Sequence, residues 1–522
     1  MRKRWLCIGI VVIMTLLVFV SVAIADNEKT SGLFNYRLKG NGTAVITNFN
    51  WEENGNNDIY VPRQLDGYEV TEIGDFAFSF DDNDAYVAFY NALPWDSNYG
   101  PLYNYQHFSA PLGKAVVVKL PDTITVIGER AFFLTQIQSI EIPDSVQLIK
   151  PGAFAGCYGM KYFTVASGNA VYATIDGVLY NKIKKELVAV PAGRDYTSDA
   201  LHGRANEFKI PEGIVKIGDY AFWGLDLDSQ VSKTNRRMSV VLSTTVEEIG
   251  DYAFAETCVG ETSLNKLNNV KTIGNYAFAN SRNITIDWSK SVVETIGDFA
   301  FAGSKVSANQ NGIRRITFPS TLKQIGEGAF SNAEVDAPKG IDLSKTSLKV
   351  IPPCAFENTT VPASFTSKDI TIALPNTLEE IQEKAFKSFQ ITSGEQISVT
   401  VIIPESVSEI KNEAFMQSNV NPIFTTANNL TSIGDRAFYK HFFTIEKVVL
   451  PDSVKKLGAG AFYSESLKSI LIPDAVADIG DNVCDRANTV MEVVPGSYAA
   501  LYASENGYPV SNTAGDDTSW LD

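Results

Sequence analysis

One six-residue phrase, Ile-Gly-x-x-Ala-Phe, returns along almost the whole chain and constrains the fold more than any other feature. It is cleanest at Ile73-Gly74-Asp75-Phe76-Ala77-Phe78, Ile217-Gly218-Asp219-Tyr220-Ala221-Phe222 and Ile249-Gly250-Asp251-Tyr252-Ala253-Phe254. Further copies begin at Ile127, Ile149, Ile273, Ile296, Ile325, Ile351, Ile381, Ile410, Ile433 and Leu457, and a worn last copy begins at Ile479. Several steps are 22 to 24 residues, among them 127 to 149, 249 to 273, 410 to 433 and 457 to 479. The steps 73 to 127 and 149 to 217 require insertions or degenerate copies. Those between Ile296 and Ile410 run from 26 to 30 residues and carry extra loop. Such a period means a stack of small units, because one unit cannot bury its apolar face alone and neighbours share a continuous core.

A second phrase keeps register ahead of the first, as in Ile140-Glu141-Ile142-Pro143-Asp144-Ser145-Val146, Val448-Val449-Leu450-Pro451-Asp452-Ser453-Val454 and Ile470-Leu471-Ile472-Pro473-Asp474-Ala475-Val476. Alternating apolar positions before the proline predict a short strand, and proline, with no N–H for a ladder, ends it. Val146, Ile149 and their equivalents point inward with the Ala-Phe pair. Alanine suits close approach between coils, and phenylalanine fills the space between layers. The recurring Gly-Asp reads as a turn element, since both residues suit tight bends.

The order apolar-x-apolar-Pro, then Val-x-x-Ile-Gly-x-x-Ala-Phe, resembles the BspA-like, or Treponema-type, leucine-rich repeat over nearly the whole mature chain. The opening Gly42-Thr43-Ala44-Val45-Ile46, Ile59-Tyr60-Val61-Pro62 and Leu65 to Ile73 is similar to that family's first repeat. The stretch Val165 to Gly193, with the tight-turn pair Asp176-Gly177, is similar to its hairpin insertion. The tail from Gly496 to Ala503 resembles its closing segment, read as a short helix capped by Ser497 and stopped by Gly507. The expected fold class is an α/β-type repeat solenoid. A parallel sheet of short strands lines one face, with irregular or short helical returns on the other. The expected organisation is a signal peptide at 1–25, an N-terminal capping repeat at 26–78, an aromatic-rich insertion at 79–112, the repeat solenoid at 113–495 with its hairpin insertion at about 165–193, and a C-terminal cap and tail at 496–522. The resemblance implies a surface or secreted bacterial protein; within the family, ligands differ widely.

The first residues speak for export. Arg2, Lys3 and Arg4 precede the apolar run Leu6 to Val20, and Ala23-Ile24-Ala25 gives a small-x-small cleavage pattern. Cleavage after Ala25 takes the formal charge from −16 to −19 by removing three basic residues, and no second apolar span follows. This acidity offers no basic footprint for nucleic acid and disfavours docking on anionic membranes.

The partners expected are therefore an extracellular protein or glycan, with no nucleic acid and no membrane span after cleavage, for a chain that is monomeric or weakly self-associating. Residues alternating with the buried ones on the strand before each proline form the candidate ligand face. They include Val117, Lys119, Ser139, Glu141, Glu207, Lys209, Arg315 and Thr317 early, and Thr371, Ala373, Thr400, Ile402, Lys447, Val449, Ser469 and Leu471 late. The early set is charged and mixed, the late set more apolar, as protein-binding patches often are; strand propensity alone also places β-branched residues there. A second candidate is the aromatic loop with Tyr86, Tyr90, Trp95, Tyr99 and Tyr103. Such side chains give rigid contact area, or else complete the N-terminal core.

No catalytic, cofactor or metal residues stand out. His107, His202 and His441 are far apart, and nucleophile-elbow, phosphate-loop and dinucleotide patterns are missing. Asp81-Asp82-Asn83-Asp84 lacks the full calcium-loop pattern. Beyond the signal, Cys157, Cys258, Cys354 and Cys484 remain. Stacking separates Cys157 from Cys258 by roughly 10 Å, more than the roughly 7 Å a disulfide tolerates between Cα atoms. Four unpaired, mostly buried thiols are expected. The functional expectation is a non-catalytic extracellular binding or adhesion protein. The alternatives are a self-associating component of a surface layer or matrix, and a carbohydrate-active enzyme.

Overall fold

A computed structural model describes residues 28–55, 57–79, 116–194, 207–225, 239–257, 267–281, 284–307, 316–336, 340–362, 369–392, 398–424, 427–439 and 445–512. The expected signal peptide, aromatic loop, acidic Asp81–Asp84 run, all three histidines, Arg315 and Cys258 lie outside these residues. Two compact units emerge. One comprises Met1–Leu93, Asn104–Asp195 and Tyr220–Phe222; the other Pro94–Tyr103, Tyr196–Asp219 and Trp223–Asp522.

In the first unit the antiparallel strands Lys29–Ser31, Phe34–Leu38 and Ala44–Phe49 open the chain. The last of these pairs in parallel with Tyr68–Ile73, which leads to Val126–Ile127 and Leu148–Ile149. A separate parallel sheet, the front face, holds Ile59–Tyr60, Val116–Lys119, Ile137–Ile142 and Tyr162–Val165. Within 165–193, Tyr172–Ile175 and Val178–Asn181 form a hairpin. Its turn residues Asp176 and Gly177 both have positive φ, 50° and 73°, the geometry a two-residue hairpin turn needs.

The second unit repeats one coil. Most of its front strands precede a proline, and Asp369–Ile372, Ser398–Ile402 and Val420–Ile423 pair in parallel, as do Lys447–Val449, Ser469–Ile472, Val490–Val493 and Val510–Asn512. Behind them runs a second parallel ladder that the sequence reading did not anticipate. It is built of two-residue strands ending on the leading isoleucine of each phrase. Ile217, Ile249, Ile273, Ile296 and Ile325 sit in register, as do Ile351, Ile381, Ile410, Ile433, Leu457 and Ile479. A third ladder follows the Ala-Phe turn, starting at Ile284–Thr285 and continuing in the longer coils through Lys305–Ser307, Glu334–Asp336, Thr360–Pro362 and Gln390–Thr392. The returns are turns. Among the described residues the helical segments are Trp51–Asn54, the 3-10 turn Trp288–Lys290, and Tyr498–Glu505. Ser497 caps the last, its Oγ accepting from Ala500 N at 3.2 Å, and Gly507 follows with φ 69°.

The turn phrase works differently from the expected Gly-Asp bend. The left-handed residue is the one after the Gly-Asp pair: Phe76, Arg130, Gly152, Tyr220, Tyr252, Tyr276, Phe299, Gly328, Cys354, Lys384, Glu413, Arg436, Gly460 and Asn482 all have φ between 49° and 66°. Most are not glycine, a cost of about 1–3 kcal/mol each that hydrogen bonds to the next coil offset. Tyr252 N donates to Asn275 O at 2.9 Å, and Tyr276 N to Asp298 O at 2.8 Å.

Where a glycine stands two residues earlier, it answers to closeness. A Cβ on Gly274 would stand 2.5 Å from Asp251 Oδ1, and one on Gly434 2.5 Å from Asn412 Oδ1. The Asp or Asn side chain then accepts a backbone N–H from the following coil. Asp75 accepts from Glu129, Asp251 from Asn275, Asn275 from Asp298, Asp298 from Glu327, and Asn412 from Asp435, at 2.7–2.9 Å. These side chains are joints between coils.

The core is a column of rings. Phe254, Phe278, Phe301, Phe330, Phe356, Phe386, Phe415, Phe438 and Phe462 stack with centroids 5.0–5.3 Å apart and planes within 3–10°. The spacing is close to the distance between paired strands, so one ring per coil fills the interior. Phe78, Phe132 and Phe154 do the same in the first unit.

Candidate functional site

The turn side leaves little for a ligand, because its polar groups face neighbouring coils. The front strands are different: their inward residues are buried, and their outward residues vary from coil to coil.

In the first unit Lys119 and Glu141 are exposed and Val117 is half-buried. Lys119 Nζ lies 5.6 Å from the Tyr60 ring centroid, and Val117 N donates to Asp58 Oδ1 at 3.0 Å. Register sets Tyr60 beside Lys119, and Lys119 beside Glu141. This face presents Lys119 and Glu141 as exposed charges.

In the second unit Lys209 is exposed on Glu207–Lys209. Thr371 pairs with Thr400, and Ile402 with Ile423. Val449 and Leu471 are register partners, and Leu471 adjoins Glu492. Ile402 and Val449 are 45% and 52% exposed, high values for aliphatic side chains; Leu471 and Thr371 are half-buried. Lys447 is exposed and ion-paired on this face. Its Nζ reaches over the intervening strand to Glu492 Oε2 at 2.5 Å, and that hydrogen bond holds the Glu492 carboxyl below the usual range. The face thus brings together two regions, one around Thr371 and Ile402 and the other around Val449 and Leu471.

At the first of these, a cleft of about 650 Å³ opens where the strands end at their prolines. Thr371, Ala373, Ile402 and Pro404 give it apolar and hydroxyl walls; Asn376, Glu405, Ser406 and Asn429 form its polar rim. Ser406 Oγ is out of solvent without a hydrogen-bond partner among the described residues. Counting outward positions on strands found Thr371 and Ile402 but missed the rim, which follows the proline. The Pro-Asp and Pro-Glu pairs were visible in the sequence and read only as strand stops.

Cys157, Cys354 and Cys484 carry free thiols, the first and last buried and Cys354 half-buried. Burial pushes each up to about 12. Cys157 occupies the coil position of Thr135, and both donate to Phe132 O, at 3.1 and 2.9 Å. It serves as a core residue in place of a hydroxyl. Among the described residues no group of acids, histidines and cysteines could hold a metal ion, and no helix is long and apolar enough to cross a membrane.

No curated protein matches the chain. Solved structures with similarity include a leucine-rich repeat protein from Eubacterium ventriosum, 17% identical, covering 76% of this chain and 95% of that one, TM-score 0.35. Another is a leucine-rich cell surface protein from Faecalibacterium prausnitzii, 17% identical, covering 95% and 96%, TM-score 0.34. A third is the leucine-rich repeat protein of T. pallidum, 17% identical, covering 58% and 88%, TM-score 0.22. The family described as BspA type leucine rich repeat region matches residues 111–190, 200–308, 228–361, 293–398 and 394–499, in six copies. With a repeat match over most of its length and coils that stack ring on ring, the chain belongs to the BspA-type leucine-rich repeat family.

Proposed function

We propose that this protein is a non-catalytic binding protein of the cell exterior, exported through its N-terminal segment. In this reading it recognises a macromolecule through the front strands of its second unit. The observation that carries the reading is the contrast in use of side chains. Turn-side polar groups join coils, whereas Ile402 stands exposed at an open cleft and Val449 stands exposed elsewhere on the same front strands. Exposed aliphatic residues on a rigid parallel sheet suit a protein-binding surface.

The test is binding of the mature chain, from Asp26, to an array of matrix proteins, plasma proteins and glycans. A saturable hit lost when Ile402, Val449 and Leu471 are each changed to Asp, with folding intact, supports the reading; an insensitive hit sinks it. Self-association is the second reading, favoured by the last front strand, Val510–Asn512, which is exposed throughout and can template pairing. Sedimentation that depends on concentration in the absence of any ligand would select it.

A further inference from the structure

We infer that the cleft at Thr371, Ile402 and Glu405 takes an extended lysine- or arginine-bearing segment of a protein partner; this rests on the front-face reading above. Three observations point to that chemistry. First, among the described lining residues there is a single charge, the Glu405 carboxylate, and no cation. Glu405 is exposed, and no described ion pair engages it. A basic side chain reaching the rim would therefore meet an acid that no described neighbour pairs with.

Second, the walls are aliphatic. Ala373, Leu374, Ile402 and Pro404 offer a surface for the methylene stem of lysine or arginine, which packs on apolar groups while its head stays at the polar edge. Asn376, Asn429 and Thr371 add oxygen acceptors for the N–H groups of a peptide or a basic head. Among the described residues no aromatic ring lines the cleft, and these walls offer no flat platform on which a sugar ring would stack. The composition favours a peptide over a glycan.

Third, the position after the proline is acidic in four coils of the unit: Glu212, Glu405, Asp452 and Asp474 occupy it and are all exposed, with Ser320, Asn376 and Gly496 neutral there and no cation at it, on a chain of formal charge −16. Such a field draws basic partners and sets their approach. The cleft gives that attraction a place to dock.

The experiment uses the full mature chain and fluorescence anisotropy with a labelled short peptide alternating lysine with isoleucine and alanine. Its glutamate counterpart and a neutral labelled oligosaccharide serve as comparisons. The lysine peptide is expected to bind saturably and the other two not to. Glu405→Gln should weaken it about two- to fivefold, the worth of one exposed ion pair. Ile402→Ser should weaken it about tenfold by removing apolar contact. Asp474→Asn, an equivalent acid away from the cleft, should leave affinity unchanged. Equal weakening by Asp474→Asn and Glu405→Gln would overturn the proposal in favour of diffuse attraction, as would binding of the oligosaccharide alone. The two readings fail separately. An array ligand sensitive to Ile402, with no lysine-peptide binding, overturns the peptide chemistry only; an array ligand insensitive to the front face overturns the reading beneath it.

Discussion

The turn side and the front side of the second unit are built from the same repeats yet obey different constraints. On the turn side the coils share one geometry built on a left-handed residue and, in most of them, a close glycine, a side-chain acceptor and a stacked ring; Lys150, Pro352, Gln382 and Lys411 stand where the others have the glycine. Each part is tied to the equivalent part of the next coil, so a change in one coil is felt in two. On the front side only the inward residue of each strand is fixed by packing. Outward neighbours change from Thr371 and Thr400 to Val449 and Leu471, and the connecting lengths change as well. Repetition secures the scaffold, and the side released from it is where recognition can vary.

The largest test of this contrast is Phe330→Ala, at the middle of the ring column. Phe330 is 1% exposed and stacks on Phe301 at 5.0 Å and Phe356 at 5.3 Å. Its loss should cost about 3–5 kcal/mol, the range for emptying a buried aromatic site, measured by urea unfolding. A cost below about 1 kcal/mol would mean that the column does not hold the unit together. Next comes Gly297→Ala. Its added methyl would meet Asn275 Oδ1 at 2.6 Å and Gly274 C at 2.7 Å. Overpacking of this kind should cost about 1–3 kcal/mol. Gly40→Ala, where nothing lies within 4 Å, should be close to neutral.

How much of this was legible in the sequence follows the same division. The Ile-Gly-x-x-Ala-Phe spacing disclosed the stacked coils, because isoleucine, alanine and phenylalanine are selected there by burial alone. It did not disclose which residue bends. Tyr252 or Lys384 in the left-handed region contradicts local preference, and only bonds to a neighbouring coil make it affordable. The second ladder was hidden because two-residue strands are too short to show alternation. On the front, alternation pointed to Ile402 and Val449, but the neutralisation of Lys447 by Glu492 depends on strands 45 residues apart. The cleft rim depends on coils laid side by side, which no spacing within one coil reports.

A subtler comparison sets two joints of the turn side against each other. In Asp75 the ion pair with Lys150 at 2.9 Å and the Glu129 N–H outweigh burial and lower the carboxyl pKa. Its stability contribution is present above the unfolded carboxylate range and is lost as pH falls through the folded value. In Asp251 burial dominates and raises it, so stability there falls as pH rises from the unfolded value through the folded one. Asp75→Asn should therefore destabilise by up to about 1 kcal/mol at pH 7, with the difference vanishing in acid. Asp251→Asn, which keeps the acceptor that Asn275 and Asn412 already use, should be neutral or slightly stabilising at pH 7. Unfolding of both variants at neutral and acidic pH decides the signs, and the same sign for both would contradict these environments.

The smallest expected effect is the one that bears most on function. Val449→Thr removes part of an exposed aliphatic surface while keeping a β-branched residue suited to a strand. Because Val449 is 52% exposed and its register partner is Leu471, stability should shift by less than about 0.5 kcal/mol, as at ordinary surface sites. The unfolding midpoint checks this directly. A substantial loss would show that Val449 supports the coil stack, and the front face would then be scaffold like the turn side. An unchanged midpoint leaves the residue surplus to folding, the condition under which a surface is free to be shaped by what it binds.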